Sequence, residues 1–168
     1  MTTGGKNPPS PPAAAAIDYD LDGWPDFYLT ACDGTPLERD SGPNRLYRSL
    51  AANYTDVTQS AGVGDPGFAQ GVAVGDYNSD GFPDIFVGNF GSNRLLCNNG
   101  DGTFSDVSDA AGIDGTEWTT SVAIGATLGS STTVAIGIAA IVFAAFDPDF
   151  VRRCHVVSPV PLHVTLER

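Results

Sequence analysis

The sequence predicts an all-β fold, a partial β-propeller of two blades followed by the start of a degenerate third. Three observations predict it. An acidic nine-residue loop occurs twice, at residues 18–26 and 76–84. Shared blocks follow each loop at an offset of about 50 residues. Short apolar runs alternate with Gly- and Asn-rich turns throughout both units. Repeat periods of 20–50 residues signal solenoids, propellers or arrays, and four short strands per unit make a propeller blade.

Taken in order, residues 1–12 are a flexible leader, with Pro8-Pro9-Ser10-Pro11-Pro12 at its end. Residues 13–63 form the first repeat and 64–113 the second. Around the loops, runs 13–17, 27–30, 71–75 and 85–88 are short and apolar, and read as strands. Asn44-Arg45-Leu46-Tyr47-Arg48 then matches Asn93-Arg94-Leu95-Leu96-Cys97, and Tyr54-Thr55-Asp56-Val57-Thr58 matches Phe104-Ser105-Asp106-Val107-Ser108. Ala61-Gly62-Val63 pairs likewise with Ala111-Gly112-Ile113. The loops themselves lie 58 residues apart, so an insertion around 32–43 absorbs the difference. Asn99-Gly100-Asp101-Gly102 is a strong hairpin cue.

The loops read Asp18-Tyr19-Asp20-Leu21-Asp22-Gly23-Trp24-Pro25-Asp26 and Asp76-Tyr77-Asn78-Ser79-Asp80-Gly81-Phe82-Pro83-Asp84. Carboxylates on alternate residues, then a glycine, let a backbone wrap a hard cation with oxygen ligands, a donor set that suits Ca²⁺. The spacing assigns Asp18, Asp20, Asp22 and Asp26 to the first site, with the backbone carbonyl of Trp24. It assigns Asp76, Asn78, Asp80 and Asp84 to the second, with the carbonyl of Phe82. An EF-hand needs a bidentate Glu at position 12 and flanking helices; that position holds Leu29 and Val87 here. The first loop carries four carboxylates and the second three plus an amide. The first is expected to bind calcium more tightly, unless repulsion distorts it when empty. The alternative is a pair of solvated Asp/Gly-rich hairpin turns.

Over residues 13 to 125 these loops and blocks resemble the FG-GAP/VCBS repeats of integrin-α-like β-propellers. Ile17 to Asp26, Asn44 to Arg48 and Asn98 to Phe104 are similar to the subgroup associated with ASPIC/UnbV and cartilage acidic proteins. The resemblance implies calcium on the loop side chains named above, and an extracellular or cell-surface binding module whose ligand is an unidentified protein or glycan.

A third unit begins over 114–125, where Trp118-Thr119-Thr120-Ser121-Val122-Ala123-Ile124-Gly125 aligns with Phe68 to Gly75. A third loop then fails completely. Its ligand positions read Ala126, Leu128, Ser130 and Val134, and no acidic residue occurs between Glu117 and Asp147. Residues 1–125 hold 17 acidic and 5 basic side chains and so account for the whole net charge of −12, whereas 126–168 balance. Residues 126–168 therefore read as a divergent apolar tail, from a frameshifted gene end or a different C-terminal segment. Its densest apolar run, 134–146, is short of the roughly 20 residues that a membrane helix needs. A span over 130–146 is disfavoured, and a buried strand or helix is expected instead, with a poorly ordered or aggregating tail as the alternative.

The acidic balance excludes nucleic acid, which needs a basic face. Cys32, Cys97 and Cys154 do not suggest a disulfide framework. No catalytic constellation is legible, since His155 and His163 both fall in the tail. No signal peptide is visible at the N-terminus. Two units and a stub fall short of the four to eight blades that close a propeller, which suggests a fragment. The function expected is a non-enzymatic, calcium-binding propeller module of a secreted or surface protein. The rivals are a truncated or frameshifted product without autonomous function and an accessory propeller of a larger extracellular enzyme.

Overall fold

The computed structural model describes residues 12–36, 41–113, 118–127, 135–139 and 156–157. Eleven strands and one helical turn occur among them. The first four strands, β1 (Ala14–Ile17), β2 (Asp26–Leu29), β3 (Arg45–Leu50) and β4 (Asn53–Asp56), form an antiparallel sheet in chain order. A short turn, α1 (Thr58–Ala61), follows and ends at Gly62 in the left-handed region. The next four strands, β5 (Phe68–Gly75), β6 (Asp84–Phe90), β7 (Arg94–Asn98) and β8 (Phe104–Asp106), repeat the arrangement. Each acidic loop joins the first strand of its sheet to the second, as the flanking apolar runs predict.

The Asn-Arg-Leu and Asp-Val-Thr/Ser blocks recur because they solve the same backbone problem twice. Asn44 Oδ1 accepts from the Ala31 N–H at 2.7 Å, and Asn93 Oδ1 accepts from the Asn89 N–H at 2.9 Å. Each satisfies an N–H two residues beyond the last pair between the second and third strands of its sheet. Asp56 and Asp106 accept from the N–H groups of Thr58 and Ser108, both at 3.0 Å. The hydroxyls of Thr58 and Ser108 accept in turn from the N–H groups of Leu46 and Leu95, at 2.9 Å each. Arg45 and Arg94 close the circuits by pairing with Asp56 and Asp106. Polar backbone groups at the fourth strand are thus satisfied by side chains that the sequence repeats in register.

Alternation along the strands sets the packing. Tyr28 and Leu46, cross-strand partners in the first sheet, are fully buried in a cluster with Ile85, Val87 and Leu96 of the second. The Tyr28 hydroxyl donates to the Val63 carbonyl at 3.0 Å, and burial pushes its ionisation far above the usual tyrosine value. The opposite face of the second sheet carries Phe86 and Leu95, which pack with Ile113, Val122 and Ile124. Every position of these layers has a counterpart one repeat away. The first sheet's counterparts of Ile85 and Val87 are Phe27 and Leu29, and these are 36 and 38% exposed. Phe27 stacks on Tyr54 at 5.5 Å between ring centroids.

Residues 118–124 lie against the second sheet. Trp118 bridges Phe90, and the Thr119 N–H donates to the Asn89 carbonyl at 2.9 Å. A Cβ at position 88 would sit 2.7 Å from Thr119 Cγ2 and 3.0 Å from Val122 Cγ1, so Gly88 is what lets the segment approach. Of the aligned stretch 118–125 only the end is strand, at the start of β9 (Ile124–Thr127), since 119–123 pack across the second sheet rather than joining a ladder of their own. β9 pairs antiparallel with β10 (Ala135–Ala139), which pairs with β11 (Val156–Val157). Of the suggested span over 130–146, only 135–139 are described, and they are strand. No helix among the described residues is long and apolar enough to cross a membrane. Residues 1–11 of the leader, and Cys154, His155 and His163, lie outside the described residues.

The Asp106 circuit makes stability sensitive to acid. Partial burial opposes ionisation there, but the hydroxyl and N–H of Ser108 and the Arg94 guanidinium outweigh it and hold the carboxyl below its ordinary value of 3.8. A depressed folded-state value contributes stability that is present above the unfolded value and lost as pH falls through the folded one. Thermal melts between pH ~5 and ~2 should therefore show a shallower loss of Tm for Asp106→Asn than for the parent chain. Parallel curves would rule the circuit out as a stabilising feature.

Candidate metal centre

Both loops turn on the same backbone path. Leu21 and Ser79 have φ of 56° and 62°, and Gly23 and Gly81 have φ of 86° and 92°. Two left-handed residues per loop curl the chain so that alternate side chains converge. The glycine is required because an L side chain at that φ is strained.

In the first loop the carboxylate oxygens of Asp18, Asp20 and Asp22 lie within 4.8 Å of one another. Asp18 Oδ2 accepts from the Gly23 N–H at 3.0 Å, while its Oδ1 is buried with no hydrogen-bond partner. Asp22 Oδ1 accepts from the Trp24 N–H at 2.9 Å. The second loop repeats these contacts: Asp76 Oδ2 accepts from Gly81 at 2.9 Å, and Asp80 Oδ1 from Phe82 at 2.9 Å. Asn78 Nδ2 donates to Asp80 Oδ2 at 2.7 Å, so a neutral amide stabilises a carboxylate that a third carboxylate would repel. Trp24 is half exposed at the lip of its loop.

The ninth position behaves differently from the others. Asp26 and Asp84 are both completely buried. Asp26 accepts from the N–H groups of Tyr19 at 3.2 Å and Ser49 at 2.7 Å. Asp84 accepts from those of Tyr77 and Asn98, both at 2.8 Å. Each carboxylate thus ties the second residue of its loop to the third strand of its sheet. Desolvation raises the pKa of both despite those bonds, and the neighbouring loop aspartates push in the same direction. A cation held by the loop would relieve that repulsion.

The first loop also touches the second sheet. Asn98 Nδ2 donates to the Tyr19 carbonyl at 2.8 Å, and the Tyr19 ring lies 6.1 Å from that of Phe104. Two further residues face the loops without having been legible as site residues. Arg48 on β3 reaches Asp20 Oδ2 at 2.6 Å and Asp22 Oδ2 at 3.2 Å. Its repeat counterpart Cys97 on β7 stands 3.5 Å from Asn78 Nδ2. Cys97 and the buried Cys32 are both thiols.

The donor set fits a hard cation. It offers clustered carboxylate oxygens in the first loop and an orphaned buried oxygen on Asp18. The structure brings Asp18, Asp20 and Asp22 together; with Asp26 and the Trp24 carbonyl they would hold the ion in one loop, and Asp76, Asn78, Asp80, Asp84 and the Phe82 carbonyl would hold it in the other.

A family model described as an FG-GAP-like repeat matches this chain at residues 18–87 and again at 76–129. Cartilage acidic protein 1 of Homo sapiens is 40% identical over 79 residues, which is 46% of this chain and 12% of that protein. The Mus musculus protein of the same name is 39% identical over 79 residues, with the same coverage. The match therefore spans only about an eighth of the length of these curated relatives.

Replacing a ninth-position carboxylate should damage the fold and not only the loop. Asp84→Ala leaves the N–H groups of Tyr77 and Asn98 without their acceptor, so a loss of about 2–4 kcal/mol is expected in urea unfolding with calcium chelated. Asp84→Asn, which keeps one acceptor, should fall between. An alanine variant as stable as the parent would show that the clamp contributes nothing.

Proposed function

The chain belongs to the FG-GAP-like repeat family, and we propose that it is a calcium-binding β-propeller module of a secreted or cell-surface protein, acting as a binding scaffold and not as an enzyme. The observation that carries this reading is the convergence of Asp18, Asp20 and Asp22 around an oxygen that has no protein partner. Two such loops at equivalent places in successive sheets favour a structural role for the ion. Calcium would neutralise the loop carboxylates and fix the connection between first and second strands. Through Asp26 and Asp84 that order passes to the third strand of each sheet. Through Asn98 and Tyr19 it passes from one sheet to the next.

The two four-stranded sheets are the blades of this module. In the second sheet Ile85 and Val87 are buried under the first sheet. The equivalent Phe27 and Leu29 are partly exposed, a surface suited to a further repeat of the same kind. A protein or glycan ligand would be bound on surfaces that the loops hold rigid. A net charge of −12 disfavours nucleic acid as that ligand.

Calorimetric titration of the full chain should give two equivalents of bound calcium. Extracellular modules bind in the range of about 10⁻⁴–10⁻³ M. At ~1 mM calcium, a ~0.1 mM site adds about 1.4 kcal/mol of stability by mass action. Asp20→Ala and Asp80→Ala should each lose one equivalent. Retention of two equivalents in both variants, or no heat from a folded sample, would contradict the proposal.

A further inference from the structure

We infer that the two loops are unequal calcium sites, and that the residue at one repeat position on the third strand, Arg48 facing the first loop and Cys97 facing the second, sets which binds more tightly. This inference rests on the calcium reading above and concerns residues outside the loops. The sequence alone ranks the first loop higher, because it has one more carboxylate. The geometry reverses that order.

Arg48 Nη2 pairs with Asp20 and Asp22 at 2.6 and 3.2 Å, so one guanidinium nitrogen engages two of the three clustered carboxylates. The Nε of Arg48 is buried without a partner, so the head is drawn inward by the carboxylates and is not resting on other acceptors. A fixed positive charge at this place opposes a divalent cation whether it is displaced or stays alongside. Displacing it breaks two ion pairs; keeping it places three positive charges in one loop.

Cys97 carries no such charge. Its thiol stands 3.5 Å from the Asn78 amide and makes no ion pair with the loop carboxylates that an incoming cation would have to break. The Asn78 amide already satisfies Asp80 without adding charge. The second loop is therefore the stronger calcium site. The first is stabilised by its own arginine at low calcium and fills later.

The reciprocal swaps Arg48→Cys and Cys97→Arg test this in the full chain. Terbium(III) is the probe. Trp24 lies in the first loop and Phe82 stands at the same place in the second, so tryptophan-sensitised emission reports the first loop. In the parent, terbium-to-calcium displacement should show the Trp24-linked site to be the weaker of two. Exposed ion pairs contribute modestly, so Arg48→Cys should tighten that site on the order of 2- to 30-fold, and Cys97→Arg should weaken the other by a similar factor. Melts check folding independently. With chelator Arg48→Cys should melt below the parent, and its rise in Tm on adding calcium should be larger. Two sites whose order is unchanged by either swap would overturn the inference and leave the calcium reading intact. A looser first site in Arg48→Cys would show that the arginine preorganises the loop, and would also overturn it. No cation bound by any variant would overturn both.

Discussion

A buried carboxylate at the end of each acidic loop is the constraint on which the rest of this fold depends. Asp26 and Asp84 are inaccessible to solvent, yet each accepts two backbone N–H bonds from segments far apart in the chain. Burying a charge is unfavourable unless hydrogen bonds compensate it. Two N–H donors do so here, and they also decide geometry. One donor is the second residue of the loop, which fixes the curl. The other is on the third strand, which fixes where that strand lies against the second. The loop and the sheet are therefore one unit, and whatever orders one orders the other.

From this follows the division of labour among the acidic residues. The first, third and fifth positions gather their oxygens at the loop mouth, where the left-handed residues Leu21 and Gly23 turn the chain. The ninth position, assigned to the same ion by the motif, is buried and also accepts two backbone N–H bonds. The first loop is also held by Asn98 of the second sheet through the Tyr19 carbonyl, so an ion bound there acts at the junction between repeats. The faces behind the loops carry the apolar payload: Tyr28 and Leu46 meet Ile85 and Val87, and one repeat on, Phe86 and Leu95 meet Val122 and Ile124. Gly88 admits that last layer by having no Cβ to strike Thr119.

Much of this was legible in the sequence because it is local or periodic. The paired loops, the short strands beside them, the Asn-Gly hairpin and the repeated Asn-Arg-Leu block each follow from spacing within a few residues. The structure supplied what sequence distance conceals. Arg48 lies 26 residues from Asp22, and Asn98 lies 79 from Tyr19; no periodicity connects them. In the third unit the stretch aligned with β5 becomes strand only at Ile124–Thr127, because close packing over Gly88 decides the path of residues 119–123. The ninth-position aspartates look like their neighbours in the motif, and only burial distinguishes them. Comparing the two copies position by position would have singled out Arg48 against Cys97, the one change of charge in an otherwise matched block.

The central claim is that each ninth-position carboxylate couples its loop to its sheet and that calcium tightens the coupling. Amide hydrogen exchange resolved at Tyr19, Ser49, Tyr77 and Asn98, with calcium and with chelator, tests it most directly. The account predicts that all four amides are protected even with chelator, that calcium slows the pair within each loop together, and that Ser49 and Asn98 respond although they lie on strands outside the loops. Exchange of Tyr19 and Tyr77 at the rate of exposed loop amides, or a calcium response confined to the loops, would contradict it.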